Sequence, residues 1–308
     1  MIRRSLFSAW RFAVFATMCL GLILATVTTS AWAVPLNDVI RTLETPFQTE
    51  TAKELRIYDY SADFFQESKI ASLDRLQRAN GRVEVSFDYQ RPQTVPDVMF
   101  RWQYDQPTTQ EIVSDGKTLW VYLPENNQVI QSDIEMINKS RQNDPMTFLT
   151  GLGNLSRDFQ ISWATPNTDI DGNYVLNLTP RRVSSLINRL VIVVDRFAVE
   201  AYQNRGQADD SPQDPKLAPQ DHRRASRDSR RAPTAPKRGD FAFPGYEGDL
   251  NGLWFPIMST TVYDPNGNST IIEFSNLRVN LGISKMSFNF ILPAGVQVVR
   301  PTGKEMGF

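Results

Sequence analysis

The sequence has 308 residues, of which 41% are hydrophobic, and it carries 33 basic and 34 acidic side chains. This near balance gives no global field that would attract nucleic acid or an anionic membrane surface. The only cysteine is Cys19 and the only histidine is His222. A single cysteine excludes an internal disulfide, and a single histidine excludes a histidine-rich metal site. Because His222 lies in a polar, proline-rich segment that looks disordered, we also expect no histidine-based triad, and we predict a non-enzyme without catalytic residues, metal or cofactor.

The N-terminus has the pattern of a secretory signal peptide. Three arginines precede an uncharged run that ends in Ala31-Trp32-Ala33. We expect residues 1–33 to be removed by cleavage before Val34, which implies export. An uncleaved anchor is the alternative, because the run approaches the length of a bilayer span. Without the three arginines, 30 basic side chains stand against 34 acidic ones.

Two short apolar helices are predicted in the exported part. The first covers 36–45, where apolar side chains recur at helical spacing until Pro46 ends the pattern. The second starts at Asp144-Pro145, an N-cap followed by the proline that suits a first helical turn. The apolar residues of the two helices are Leu36, Val39, Ile40, Leu43, Phe148, Leu149 and Leu152.

Most of the remaining chain alternates apolar and polar residues, which predicts half-buried strands. Hairpin turns are predicted at Asn80-Gly81, Asp115-Gly116 and Asp171-Gly172, because mirror-image turns need positive φ. The pattern gives about eleven strands, one of them over 197–202. Since no strand–helix–strand alternation is visible, we predict a mainly antiparallel α+β fold whose large sheet curls or partly closes into a barrel.

Residues 97–131 are rich in aromatic side chains but contain no catalytic group. A sheet with so many aromatic side chains needs an apolar partner, which is either ordinary protein core or a bound apolar ligand. The aromatic residues of this stretch are Phe100, Trp102, Tyr104, Trp120 and Tyr122.

Residues 204–240 differ from the rest of the chain. Prolines alternate there with arginine, aspartate, alanine and serine, and apolar residues are nearly absent. Such a segment cannot bury enough surface to offset its ordering entropy. We therefore predict a disordered insertion within one domain that spans 34–308. Because its local charge is basic, a tether for an acidic partner or for lipid headgroups is the alternative.

Several motifs resemble the outer-membrane lipoprotein carrier (LolA) family. The most specific is Ser-Asp-Gly-Lys-Thr-Leu-Trp-Val-Tyr at 114–122, preceded by Met-Phe-Arg-Trp-Gln-Tyr at 99–104. Residues 62–66 are similar to the family's first strand, 144–149 to its internal helix and 292–296 to its closing segment. The resemblance implies an unclosed β-barrel that holds an apolar cavity and is covered by a lid of short helices.

The resemblance also implies a function. A carrier of this family takes acylated lipoproteins from an inner-membrane ABC release complex and hands them to an outer-membrane receptor. We therefore expect a monomeric, periplasmic lipid-binding protein. A regulatory protein of the same fold, which would sense mislocalised lipids and bind an anti-sigma factor, is the alternative.

Candidate site residues follow from the resemblance and the strand pattern together. The lid would consist of the two predicted helices, and only one face of each strand can point into the cavity. The family has an Arg-Pro pair on its second strand, whose arginine contacts the lid. Arg91-Pro92 matches that pair, although extra residues at 93–97 separate it from the next strand. The predicted cavity wall comprises Phe87, Tyr89, Phe100, Trp102, Trp120, Tyr122 and Ile130.

Overall fold

The computed structural model describes residues 34–91, 96–134, 152–184, 186–209 and 253–300. The predicted signal peptide and the first part of the second predicted helix, with Phe148 and Leu149, lie outside these ranges. So does most of the predicted insertion. The described residues from Leu36 onward belong to one compact unit.

Twelve strands form one sheet, in the order β12-β6-β5-β4-β3-β2-β1-β11-β10-β9-β8-β7. Neighbouring strands are antiparallel except for the parallel pair of β12 and β6. Within the described residues β7 and β12 are edges that do not pair, so the sheet is curled and unclosed, with one strand more than predicted. The strands are β1 (Asp59–Ile70), β2 (Arg75–Asp88), β3 (Asp97–Gln106), β4 (Gln110–Ser114), β5 (Thr118–Leu123), β6 (Gln128–Asp133), β7 (Phe159–Thr168), β8 (Tyr174–Pro180), β9 (Arg189–Val194), β10 (Ile257–Tyr263), β11 (Ser269–Val279) and β12 (Gln297–Val299).

Short helices pack on one side of this sheet. Helix α1 (Leu36–Glu44) continues into a 3-10 turn (Thr45–Phe47), and a 3-10 turn (Leu152–Asn154) precedes α2 (Leu155–Asp158). Helix α1 contacts α3 (Arg196–Asp209), the turn before α2 and strand β7. We call residues 36–47 and 152–158 the helical layer. No helix in the described ranges is long and apolar enough to span a bilayer.

The two faces of the sheet can be told apart by register, because directly paired residues point to the same side. Trp102 pairs with Val83 on β2 and with Ile112 on β4. Phe87 lies on the same side and contacts Phe47 of the helical layer. We call this side the inner face and the opposite side the outer face. The main core lies between the inner face and the helical layer.

The predicted hairpin turn at Asn80-Gly81 is wrong. Strand β2 runs through both residues, and the chain reverses earlier, at a 3-10 turn (Ala71–Leu73) followed by Asp74 with φ 45°. Gly81 instead lies at an irregularity in the pairing with β3, where a β-carbon would overlap the carbonyl oxygen of Gln103. Glycine is needed there because two backbones approach closely, and not because the chain turns.

The predicted strand over 197–202 is also wrong, since these residues belong to α3. Asp195 Oδ1 accepts a hydrogen bond of 2.8 Å from the backbone N–H of Phe197, which is the bond of a helix N-cap. The helix extends to Asp209, so residues 204–209 of the predicted insertion are helical.

Candidate functional site

An aromatic cluster occupies the inner face beneath the helical layer. The ring of Phe47, in the turn after α1, lies 5.1 Å from the ring of Phe87 and 5.9 Å from that of Phe255. Phe255 in turn lies 4.3 Å from Tyr60 on β1. All four side chains are buried. The helical layer thus closes over the cluster through Phe47.

The cluster continues along the sheet toward the far end of β1. Phe255 contacts Phe274 on β11, and Phe274 contacts Trp102, both with ring centroids 6.4 Å apart. Trp102 lies 4.8 Å from Phe64, which contacts Tyr104. Edge-to-face and tilted pairs of this kind stabilise a packed apolar surface. The inner face therefore carries an unbroken aromatic surface across β3, β1 and β11.

The structure divides the predicted wall residues between two faces. Phe87, Phe100, Trp102 and Ile130 lie on the inner face, because β3, β4, β5 and β6 pair in a register that links Trp102 to Ile130 through Ile112 and Val121. Tyr89 follows the end of β2 on the same side.

Trp120 and Tyr122 lie on the outer face and cannot line the same surface. Trp120 pairs with Val113, and Tyr122 pairs with Val129. Their rings pack against Phe290, with centroids 6.0 Å and 6.1 Å away. Phe290 belongs to residues 280–296, which cross the outer face from β11 toward β12 and which we call the strap. These two aromatics therefore belong to a second core under the strap.

Three polar anchors hold the strap. The buried carboxylate of Asp59 accepts backbone hydrogen bonds of 2.6, 3.0 and 3.2 Å from residues 281–283. Arg101 donates to the carbonyl oxygens of Ser287 (2.6 Å) and of residue 289. Lys285 contacts Asp88 at 2.6 Å, and this hydrogen bond holds the pKa of Asp88 below its usual value. The anchors make the strap a fixed part of the outer face.

The predicted lid residues that the structure describes lie in the helical layer. Val39 and Leu43 are fully buried, Leu152 is 1% exposed, and Leu36 and Ile40 are half-buried. The two parts of the layer are joined by a polar clasp. Glu44 Oε1 accepts hydrogen bonds of 2.6 Å from both the backbone N–H and the hydroxyl of Ser156. Gln48 donates to the carbonyl oxygen of Gly153 at 3.1 Å.

Comparison with known proteins decides the family. The model of the family described as "Outer membrane lipoprotein carrier protein LolA" matches residues 56–207. An outer-membrane lipoprotein carrier protein of Methylobacillus flagellatus is 24% identical over 289 residues, which are 94% of this chain and 98% of the relative. Residues 56–207 belong to the LolA family. The relatives and the family model are named as lipoprotein carriers, which supports a carrier role for this chain.

Other members of the LolA family match over shorter stretches. A carrier protein of Xanthomonas campestris is 34% identical over 108 residues, which are 35% of this chain and 48% of that relative. The chain thus spans about half of that relative's length. Among solved structures, a LolA superfamily protein from Nitrosomonas europaea is 13% identical, with 84% of this chain and 99% of that chain covered and a TM-score of 0.36.

The arginine that the family resemblance assigns to the lid has another contact here. Arg91 Nε lies 3.0 Å from Asp97 Oδ2, and its side chain is 60% exposed. Tyr89, two residues earlier, contacts the helical layer instead. Its hydroxyl lies 3.1 Å from the carbonyl oxygen of Pro46 and 2.7 Å from that of Ile57. Burial raises the pKa of Tyr89, so the hydroxyl stays protonated and donates at neutral pH.

We expect Tyr89→Phe to loosen the helical layer more than Arg91→Ala does. The tyrosine variant removes the hydroxyl that joins the end of β2 to the carbonyl oxygens of Pro46 and Ile57, which costs about 1 kcal/mol, or about a fivefold shift toward the open layer. An exposed ion pair contributes little, so the arginine variant should shift the same equilibrium less than about threefold. Protection of the α1 amides in hydrogen exchange measures both. The reverse ranking would restore Arg91 as the lid contact.

Sequence reasoning missed several residues of the site, among them Phe47, Tyr60, Phe255 and Glu44. Pro46-Phe47 offered a signal, because a large apolar residue directly after a helix-ending proline often packs back on the core. Tyr60 and Phe255 lie next to strand boundaries, which single-sequence patterns place poorly. Glu44 is a charged residue in an amphipathic helix, and nothing local distinguishes it from a solvated one.

Proposed function

We propose that the chain is a periplasmic carrier that holds the acyl chains of lipoproteins on its inner face. The observation that supports this most strongly is the aromatic inner face closed by a helical layer. That layer is joined by a few polar contacts, such as those between Glu44 and Ser156. A surface of this kind is costly to expose to water and is therefore either covered by the protein or by an apolar ligand.

Acyl chains can supply enough free energy to replace the helical layer. Each methylene group removed from water contributes about 0.8 kcal/mol, so partial burial of one long chain already gives several kcal/mol. Release requires a competing state that buries the same surface, and the helical layer provides it through Phe47, Val39 and Leu43. The layer acts as the lid: it is closed in the empty carrier and displaced in the loaded one.

The proposed partners follow from this exchange. Acylated lipoproteins are the cargo, an inner-membrane ABC release complex supplies them, and an outer-membrane receptor accepts them. Export by the predicted signal peptide would place the carrier in the periplasm between the two. The carrier works as a monomer and performs no chemical step, because loading and release depend only on which surface covers the inner face.

Release of lipoprotein from spheroplasts tests the proposal. Spheroplasts that retain a radiolabelled triacylated lipoprotein are incubated with the purified protein, with an established carrier as the positive control. We expect the lipoprotein to appear in the supernatant as a soluble complex with this protein. If the cargo stays on the membrane while the established carrier releases it, the proposed function is wrong.

A further inference from the structure

Tyr60 differs from the other members of the aromatic cluster because it carries a hydroxyl. Its side chain is 0% exposed, and within the described part of the chain its hydroxyl has no hydrogen-bond partner. A buried hydroxyl without a partner destabilises a fold, and nearly all buried polar groups in proteins are paired. A phenylalanine would fill the same space without this cost, so packing alone does not explain the tyrosine.

The position of Tyr60 links it to the lid. The residue lies on the inner face, paired with Val85 on β2 and Val279 on β11. Its ring contacts those of Phe255 and Phe87, at 4.3 Å and 6.2 Å. Phe47 of the helical layer packs on both of these phenylalanines. Opening the layer therefore uncovers the two phenylalanines that contact Tyr60.

We propose that the Tyr60 hydroxyl donates a hydrogen bond to the carbonyl oxygen of an acyl ester in the lipoprotein cargo. This inference rests on the proposed carrier function and adds a polar recognition point to an otherwise apolar site. An acyl chain that replaces Phe47 brings its ester group with it, and that carbonyl is an acceptor without a donor of its own. Burial raises the pKa of the Tyr60 hydroxyl, which therefore remains a donor at neutral pH.

One hydrogen bond in an apolar site gives selectivity between closely similar ligands. A lipid with ester-linked chains should bind more tightly than its ether-linked counterpart of the same length, because the ether lacks the carbonyl oxygen. We expect a preference of about tenfold, the size of one well-made hydrogen bond. Replacing Tyr60 by phenylalanine should remove the preference, so that the ester and ether lipids bind with equal affinity.

The test uses two synthetic lipopeptides that differ only in ester or ether linkage of a diacylglyceryl-type group. Their affinities for the wild-type protein and for Tyr60→Phe are measured by displacement of a fluorescent fatty acid. An ester preference that disappears in Tyr60→Phe supports the inference. Equal affinity of the wild type for both lipids overturns it and leaves the carrier function intact. Failure of the wild type to bind either lipid instead contradicts the carrier function.

Two further readouts separate recognition from structure. Without cargo, Tyr60→Phe should have a higher melting temperature than the wild type, because the unpaired hydroxyl is gone. A lower melting temperature would mean that the Tyr60 hydroxyl has a hydrogen-bond partner within the protein, which would contradict the inference. The affinities of an ester-linked and an ether-linked phospholipid are measured in the same way. They show whether the recognised ester carbonyl belongs to a lipoprotein or to a phospholipid. An ester preference confined to the phospholipid would contradict a lipoprotein ligand.

Discussion

Trp102→Ala should lower the free energy of unfolding by about 3–5 kcal/mol and abolish lipid binding. Trp102 is 2% exposed and joins Phe64 to Phe274 at the centre of the aromatic surface. Its removal leaves a cavity that the surrounding strands can fill only in part. Urea denaturation measures the first effect, and titration with a fluorescent fatty acid measures the second.

Trp120→Ala is the matched control on the outer face. This tryptophan is half-buried under the strap, where it packs against Phe290. Its loss should cost about 2 kcal/mol of stability, because less apolar area is buried, and should leave lipid affinity unchanged. If Trp102→Ala does not fold, Trp102→Phe keeps the core filled and should still weaken binding. Equal loss of lipid binding in the Trp102 and Trp120 variants would contradict the assignment of the two faces.

Glu44→Ala should shift the helical layer toward its open state by about 3 kcal/mol, or about a hundredfold. The substitution removes both hydrogen bonds to Ser156 and leaves a part-buried N–H without its acceptor. Each bond to a charged group contributes about 1.5–3 kcal/mol. Because the lid and the lipid compete for one surface, the apparent affinity for a fluorescent fatty acid should rise and its release should slow.

Two further variants serve as controls for this result. Ser156→Ala removes only the hydroxyl donor, so its effect on affinity should be smaller than that of Glu44→Ala. Glu54→Ala removes an exposed carboxylate from a 3-10 turn (Lys53–Leu55) outside the helical layer and should have no effect. An unchanged or weaker affinity in Glu44→Ala would show that the clasp does not oppose ligand binding.

Local pattern was sufficient for most of the sheet. In β3 the residues Phe100, Trp102 and Tyr104 alternate with polar ones, so strand and face could be inferred together. A turn is present at Asp115-Gly116, although only Gly116 has positive φ, and Asp115 Oδ1 accepts hydrogen bonds of 2.8 and 2.7 Å from the backbone N–H groups of Lys117 and Thr118. These features depend on near neighbours, which a single sequence contains.

Strand β5 shows why the faces of the site could not be predicted. Its sequence, Thr-Leu-Trp-Val-Tyr-Leu, is apolar on both sides, and all six residues are half-buried. Val121 faces inward, whereas Trp120 and Tyr122 lie under the strap. Without alternation, nothing in the strand itself indicates its orientation. The decisive information is the pairing register and the path of the strap, which are both long-range.

The errors at Gly81 and α3 also have physical causes. A glycine that permits close approach of two strands looks the same in sequence as a glycine in a turn. In α3, Phe197 to Tyr202 contains apolar residues at several spacings, so periodicity does not distinguish helix from strand. Asp195 was the available signal, since an aspartate before such a run is a typical N-cap.

Photo-crosslinking from adjacent residues of β5 tests the central proposal most directly. A benzoylphenylalanine placed at Val121 faces inward, and one placed at Tyr122 faces the strap. Each protein is loaded with a lipoprotein that carries radiolabelled acyl chains and is then irradiated. We expect label to be transferred to the Val121 variant and not to the Tyr122 variant. Labelling of the Tyr122 variant alone would show that acyl chains bind the outer face and would contradict this assignment.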